Sequence, residues 1–289
     1  MQKIRKKLLV LIIIVENCIG IMVWFGAGAS NAEISKDRLE TIKEKGVLTV
    51  ASSNDVPFAY IDPKTKEFTG IDAEIIREVA KRLGINKVEM RKEVPFENLL
   101  QQLNNNVDID IVADGMYVTD ERKKEALFTN IWYRESEAII VPKVSKIAFK
   151  EDLKNAVIGA QSGTAFLELA QKWQKDNLVK DVVIFGKQAE LLSAVNTGKI
   201  DAAITDSIVA AYILSNDSSL YLKILEPYEP EAPGMVAAAV RKSDTTLANA
   251  VNQQIDEMKR DRTIINILKK YGLNEKYFVS VNDGHISGQ

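Results

Sequence analysis

The sequence predicts an α/β protein built from two successive units. Short apolar runs alternate with helix-period segments from residue 47 to about 240. The same order recurs after Pro142, and glycines and prolines stand at the joints. In the first unit Val47 to Ala51 is strand-like. Asp72 to Leu83 places Ile75, Ile76, Val79, Ala80 and Leu83 on one helical face, with Gly84 where a left-handed cap belongs. Val88 to Arg91 follows as strand, Phe96 to Asn104 as helix, Ile109 to Ala113 as strand, and Glu137 to Val141 as a strand ended by Pro142.

In the second unit Val157 to Ala160, Val182 to Phe185 and Ile200 to Thr205 are strands. They alternate with helices over Thr164 to Trp173, Gln188 to Thr197 and Asp206 to Leu214. A Pro-rich turn, Glu226 to Pro233, leads to a strand from Met235 to Val240. Closing helices follow over Thr245 to Lys259 and Arg262 to Tyr271. Periodicity assigns those helices to neither unit. Residues after about 276 are expected to form a solvated, flexible tail.

Composition narrows the function. The 289 residues carry 38 Lys+Arg against 40 Asp+Glu, a formal net charge of -2, so no basic excess is available to neutralise a phosphate backbone; no nucleic-acid partner is expected. The single Cys18 lies in an apolar N-terminal stretch and the single His285 near the C-terminus, which argues against Cys/His nucleophiles and Cys/His zinc sites. No metal and no cofactor is expected.

Residues 1–32 open with Lys3, Arg5, Lys6 and Lys7 and continue through an apolar run. They end on small residues, with Ser30 and Ala32 fitting a small-x-small cleavage rule. This predicts a signal peptide and a secreted location, in the periplasm or at the outer face of the cytoplasmic membrane. The rivals are an uncleaved anchor, with Glu16 and Asn17 inside its span, and a lipid on Cys18, for which Val15-Glu16-Asn17 is a poor match. Cleavage after Ala32 would leave 257 residues with a formal charge of -5 and no cysteine, held by their core alone.

Candidate site residues lie at strand ends. Gly163 and Thr164 open a helix after a strand, so first-turn amides are free to receive an anion. Thr119 caps a short turn from which Arg122 emerges, suited to a carboxylate, or else one of a solvated basic group with Lys123 and Lys124. Asp206 ends the strand Ala202 to Thr205, where open α/β sheets meet ligands, although a helix cap alone would account for it. Asp108, Asp110 and Asp114 alternate with apolar residues as on a half-solvated strand, so no metal cluster is expected. No Gly-rich phosphate fingerprint is present.

The order of these motifs resembles the bacterial extracellular solute-binding proteins of family 3, the amino-acid receptors of ABC importers. It runs through Asp37-Arg38-Leu39, Gly46 to Val50, Pro57-Phe58, Gly70-Ile71-Asp72, Leu99 to Leu103 and Val107-Asp108, then Val118-Thr119 with Arg122, Phe128-Thr129, Ile158 to Thr164 and Gly198 to Asp206. The resemblance implies a type II periplasmic-binding-protein-like fold. Lobe 1 would comprise residues 33–142 plus 236–276 and lobe 2 residues 143–235, with hinge crossovers near Pro142 and Gly234. Ligand would sit between the lobes. Arg122 would clamp its carboxylate with help from the backbone at Thr164, and Asp206 would take its ammonium group.

Two positions depart from the family pattern. Asp55 stands where many members carry an aromatic, and Tyr117 where many have a small hydroxyl residue. Asn54-Asp55-x-Pro-Phe and Gly115 to Thr119 are similar to the ectoine-binding branch. Phe58, Phe96 and Tyr117 would then surround a delocalised or methylated cation with Asp55 as its counter-charge, unless Phe58 and Phe96 are core.

The function expected is a monomeric, non-enzymatic extracytoplasmic receptor that captures a small zwitterionic or cationic ligand and presents it to the membrane permease subunits of an ABC importer. An exported cyclohexadienyl dehydratase-like enzyme on the same fold, with Asp55 or Glu97 as its acid, and the sensor module of a signalling system are the alternatives.

Overall fold

The computed structural model describes residues 37–286. The segment assigned to export or anchoring, Cys18 included, lies outside them. In chain order the elements are α1 (Arg38–Lys45), β1 (Val47–Ser52), β2 (Tyr60–Ile61), β3 (Phe68–Thr69), α2 (Ile71–Arg82), β4 (Lys87–Glu93), α3 (Leu99–Asn105), β5 (Ile111–Val112), α4 (Asp120–Glu125), β6 (Leu127–Phe128), β7 (Tyr133–Glu135) and β8 (Glu137–Pro142). They continue as β9 (Val157–Gln161), α5 (Ala165–Lys175), β10 (Asp181–Phe185), α6 (Gln188–Asn196), β11 (Ala202–Asp206), α7 (Ser207–Asn216), β12 (Leu222–Ile224), β13 (Gly234–Val236), β14 (Ala239–Val240), α8 (Thr245–Arg260) and α9 (Thr263–Lys270).

Two five-stranded sheets organise these elements, in the orders β4-β1-β5-β14-β6 and β10-β9-β11-β8-β12. The parallel strands β4, β1 and β5 form one half of the first sheet and β10, β9 and β11 one half of the second. β1 shows why such strands carry no polar face: five of its six residues are buried, because helices cover both sides of a parallel sheet. α2 buries Ile75, Ile76, Val79 and Ala80, the face expected from spacing, and its first turn carries Asp72 inward. The architecture is the two-lobed α/β fold expected, and among the described residues no helix is long and apolar enough to cross a membrane.

Three boundaries differ from expectation. Strand 137–142 was expected to end lobe 1, but β8 pairs antiparallel with β11 and β12 in the second sheet. The first crossing therefore precedes Glu137 instead of falling at Pro142. An apolar run shows burial but carries no mark of which sheet it joins. The single strand expected over Met235 to Val240 is two: β13 pairs with β7 outside both main sheets, and β14 joins the first sheet beside β5 and β6. Both chain crossings thus run together as an antiparallel ribbon, extended by the Tyr117–Val236 bridge.

Residues 277–286 are not a solvated tail. Phe278 bridges Tyr133, Val279 is buried, and the Ile131 N–H donates to the Gly284 carbonyl at 2.8 Å. The apolar side chains of Phe278, Val279 and Ile286 supply the burial that the glycines and polar residues of this stretch obscure. α8 packs on α1, α2 and β6, and α9 on α2 and α8, so the closing helices return to the first lobe.

Candidate functional site

Loops at the carboxyl ends of β1, β5, β9 and β11 converge between the two sheets, where ligands meet α/β folds. They line a narrow cleft with about 370 Å³ of non-atom space when the open solvent at its mouth is included. Asp55, Phe58, Phe96, Gly115, Tyr117 and Arg122 line it from the first lobe, and Thr164 and Asp206 from the second.

Arg122 owes its place to local capping. The Thr119 hydroxyl accepts from the Arg122 N–H at 3.2 Å and starts the short helix α4, which turns the guanidinium inward and away from Lys123 and Lys124. Nη1 donates to the Tyr117 carbonyl at 2.7 Å and Nη2 crosses to the Gly163 carbonyl at 2.8 Å. The Phe96 ring lies 5.5 Å below the guanidinium carbon. Two N–H groups are thereby used, leaving others of the fork for an anion. Burial draws the guanidinium below its usual range.

Facing it is an acidic wall. Asp114 follows β5 and accepts from the Ser53 N–H at 2.7 Å and from the Ser52 hydroxyl at 3.0 Å. The Ser53 hydroxyl lies 2.7 Å from Asp55 Oδ2 and 2.5 Å from Asp114 Oδ2. One hydroxyl has one proton, so it cannot donate to both carboxylates; a proton on one carboxyl satisfies the pair. Burial raises both groups, and Asp55 raises Asp114 further. From the second lobe, Gln161 Nε2 donates to Asp55 Oδ2 at 2.9 Å.

Gly115 sits at φ +63° with its N–H donated to Asp72 at 2.6 Å, and the Phe58 ring occupies the space a side chain there would need. Phe58 and Phe96 are therefore both core and cavity wall. The Tyr117 ring meets Phe166 edge-on at 5.5 Å and covers Gly234; its hydroxyl is buried without a hydrogen-bond partner.

In the second lobe Thr164 caps α5: its hydroxyl accepts from the Leu167 N–H at 3.2 Å and donates to the Gln161 carbonyl at 2.7 Å. The Thr164 N–H itself leans on the Gln161 carbonyl at 3.4 Å. Asp206 is the residue before α7 but makes no capping bond with its side chain. That carboxyl faces the cavity instead, 3.4 Å from Gln188 Nε2, and burial pushes it up to about 6. Gly163 lines no cavity wall; it lies against the backbone of Glu97 in the other lobe.

Sequence reasoning did not single out Gln161, Ala165, Phe166 and Gln188 as lining residues, and it placed Asp114 on a half-solvated strand. Asp110 and Asp114 are each 1% exposed: Asp110 pairs with Arg38 and Asp114 enters the site, while Asp108 alone is outside, 2.9 Å from Arg91. Asp114 and Gln161 each stand at a strand's carboxyl end, the signal that would have found them. Among the described residues no His/Cys/Asp/Glu group has the arrangement of a metal site.

The family model for bacterial extracellular solute-binding proteins, family 3, matches residues 48–274. The chain belongs to that family. It is 29% identical over 248 residues to the ABC transporter glutamine-binding protein GlnH of Bacillus subtilis, covering 84% of this chain and 88% of that one. Among solved structures it is similar to an ancestral arginine-binding protein bound to arginine, at 32% identity and TM-score 0.68, over 78% of this chain and 98% of the other. It is also similar to AncCDT-1, an ancestral amino acid-binding protein described as a precursor of cyclohexadienyl dehydratase. That likeness is 30% identity with TM-score 0.70, over 82% and 99% of the two chains.

Proposed function

We propose that this family 3 solute-binding protein is the extracytoplasmic receptor of an ABC importer, acts as a monomer without catalysis, and encloses an amino acid or amino-acid derivative between its lobes. One observation carries the reading: a guanidinium, Arg122, and a carboxyl, Asp206, reach one interlobe cavity from opposite lobes. Arg122 holds the ligand carboxylate with the first-turn amides after Thr164, and Asp206 holds the ammonium. Phe58, Phe96, Gly115 and Tyr117 shape the wall, and the Gly163 carbonyl ties Arg122 to the second lobe.

Asp55 and Asp114 favour a ligand with a further cationic or hydrogen-donating group at that end. Of the aromatic surround expected for an ectoine-like solute, Phe96 is stacked under Arg122 and Tyr117 against Phe166, which favours an ordinary amino acid. Each charged bond contributes about 1.5 to 3 kcal/mol, so a few such bonds supply much of the roughly 8 kcal/mol of a micromolar complex.

A thermal-shift screen of the full chain against arginine, lysine, glutamine, histidine, cystine and ectoine tests this, because a specific ligand raises the melting temperature by mass action. Arg122→Ala should weaken the ligand found by about 10- to 150-fold. Affinity within twofold of the parent sinks the carboxylate clamp. Turnover of prephenate or arogenate to an aromatic product would overturn the receptor reading in favour of an enzyme.

A further inference from the structure

The ribbon where the chain crosses between lobes carries an acidic side chain that the ligand reading leaves unused. Glu135 ends β7, opposite Gly234 of β13, and is 6% exposed. Its carboxyl lies near the Asp206 carboxyl and the Ile208 N–H, at the head of α7, yet neither of its oxygens has a hydrogen-bond partner. The backbone fixes this neighbourhood, since the Ser207 N–H donates to the Ser136 carbonyl at 2.8 Å and Asp206 registers against Glu137. The Tyr117 hydroxyl and the Ser207 hydroxyl, both buried, also lack partners.

Buried polar groups are rarely left unpaired, and an ionised carboxylate without a partner is the costliest case. No cation offsets it. The groups facing Glu135 are Asp206 at the end of β11, Tyr117 from the loop after β5, Asp72 from α2, and Tyr133 on its own strand, with Glu137 next along on β8. Arg134 and Lys276 line the adjoining cavity only at its exposed rim. Two carboxyls side by side in such surroundings cannot both ionise; one proton between them removes the repulsion and supplies the missing donor.

We propose that Glu135 is a positioning residue for the ammonium site: it shares one proton with Asp206 in the ligand-free protein, and the arriving ligand cation displaces that proton to solvent. The Asp206 side chain makes no capping bond to α7 and faces the cavity, so its carboxyl stands between the ammonium site and Glu135. Burial and the Asp206 charge hold the Glu135 carboxyl well above the ordinary range, in keeping with a retained proton. The displacement step rests on the reading of Asp206 as the ammonium site; the shared proton does not.

Carbon-13 carboxyl spectroscopy of the ligand-free full chain, labelled at glutamate side chains, decides the first half. One glutamate should titrate well above all others, and its resonance should vanish in Glu135→Gln; if every glutamate titrates in the ordinary range the pair is refuted, with no variant needed. Calorimetry with L-arginine and L-glutamine in buffers of differing ionisation enthalpy decides the second half. The wild type should release more protons on binding than Glu135→Gln, so that its affinity climbs more steeply with pH, by up to about tenfold per pH unit for one extra proton. Glu135→Asp should restore the steeper slope. Equal proton release by wild type and Glu135→Gln overturns the coupling. If neither amino acid binds, the displacement step is refuted for both of these ligands, and the shared proton then stands or falls on the spectroscopy.

Discussion

Gly163→Ala should block closure of the lobes. Gly163 lies at φ +75°, and a Cβ added there would stand 2.6 Å from Glu97 Cβ and 2.7 Å from Glu97 Cα, in the opposite lobe. An ordinary contact begins near 3.4 Å, so the lobes must part locally by about 0.7 to 0.8 Å. One of the obstructing atoms is backbone, so a rotamer change at Glu97 cannot relieve the overlap. The same parting stretches the 2.8 Å bond from Arg122 Nη2 to the Gly163 carbonyl. Overpacking of this kind costs about 1 to 3 kcal/mol, or about 5- to 150-fold in affinity for a ligand that requires the closed form. The left-handed backbone adds about 1 to 2 kcal/mol of strain, but to open and closed forms alike, so it lowers the melting temperature without entering the affinity. Calorimetry with the ligand found by the thermal screen, paired with X-ray scattering of the saturated protein, separates these effects. Affinity within twofold of wild type together with an unchanged scattering profile would show that the contact of Gly163 with Glu97 does not limit closure.

Three further outcomes are expected. Tyr212 of α7 packs its ring 5.8 Å from Tyr271 of the first lobe and sets its hydroxyl beside Tyr60, so Tyr212→Ala should weaken ligand binding by about 2- to 12-fold though it lines no part of the cavity; unchanged affinity refutes this clasp. Burial pushes Asp72 up to about 7 despite bonds from the Gly115 N–H and the Tyr133 hydroxyl. A raised folded-state value stabilises at low pH and is lost as pH rises, so the melting temperature of wild type relative to Asp72→Asn should fall between pH ~4 and ~7; a flat difference across that window counts against it. Lys187 and Glu93 bridge the lobes at 2.5 Å, but their side chains are 58% and 39% exposed, so Lys187→Ala should change affinity by less than about fivefold, measured by the same calorimetry.

Much of the fold was legible because burial leaves a period. Ile75, Ile76, Val79 and Ala80 announce one face of α2, and the apolar runs of β9 and β11 announce strands covered on both sides. Sheet membership left no such mark. The strand at 137–142 and the run at 235–240 are apolar whichever lobe receives them, so only pairing reveals that the first joins the second sheet and that the second divides between hinge ribbon and first sheet. In the site, Arg122, Thr164 and Asp206 were found because caps and strand ends are local features. Gln161 and Gln188 were missed because a neutral amide gains its meaning from what faces it, here Asp55 and Asp206. Glu135 was missed for the same reason: in sequence it is one acid in a charged segment, and only the fold brings it to the head of α7.

Closure and charge are linked through this wall. The arrangement between the lobes buries Asp114 and Asp206 and half-buries Asp55 around a cavity whose only lining cation is Arg122, among the described residues. Arg122 already spends two N–H groups on the Tyr117 and Gly163 carbonyls, which hold it in place but neutralise no charge. Closed without a guest, the carboxyls must retain protons, and retaining them at neutral pH costs free energy in proportion to how far the pH lies above each group's titration point. A ligand cation at Asp206 removes part of that cost in the closed form and little of it in an open form where water solvates the acids. The ligand thereby favours closure through the difference between the two states, the one route by which binding can shift such an equilibrium. A neutral solute of the same shape would gain the contacts but not that difference, so the acidic wall that favours a cationic group also makes closure depend on its arrival.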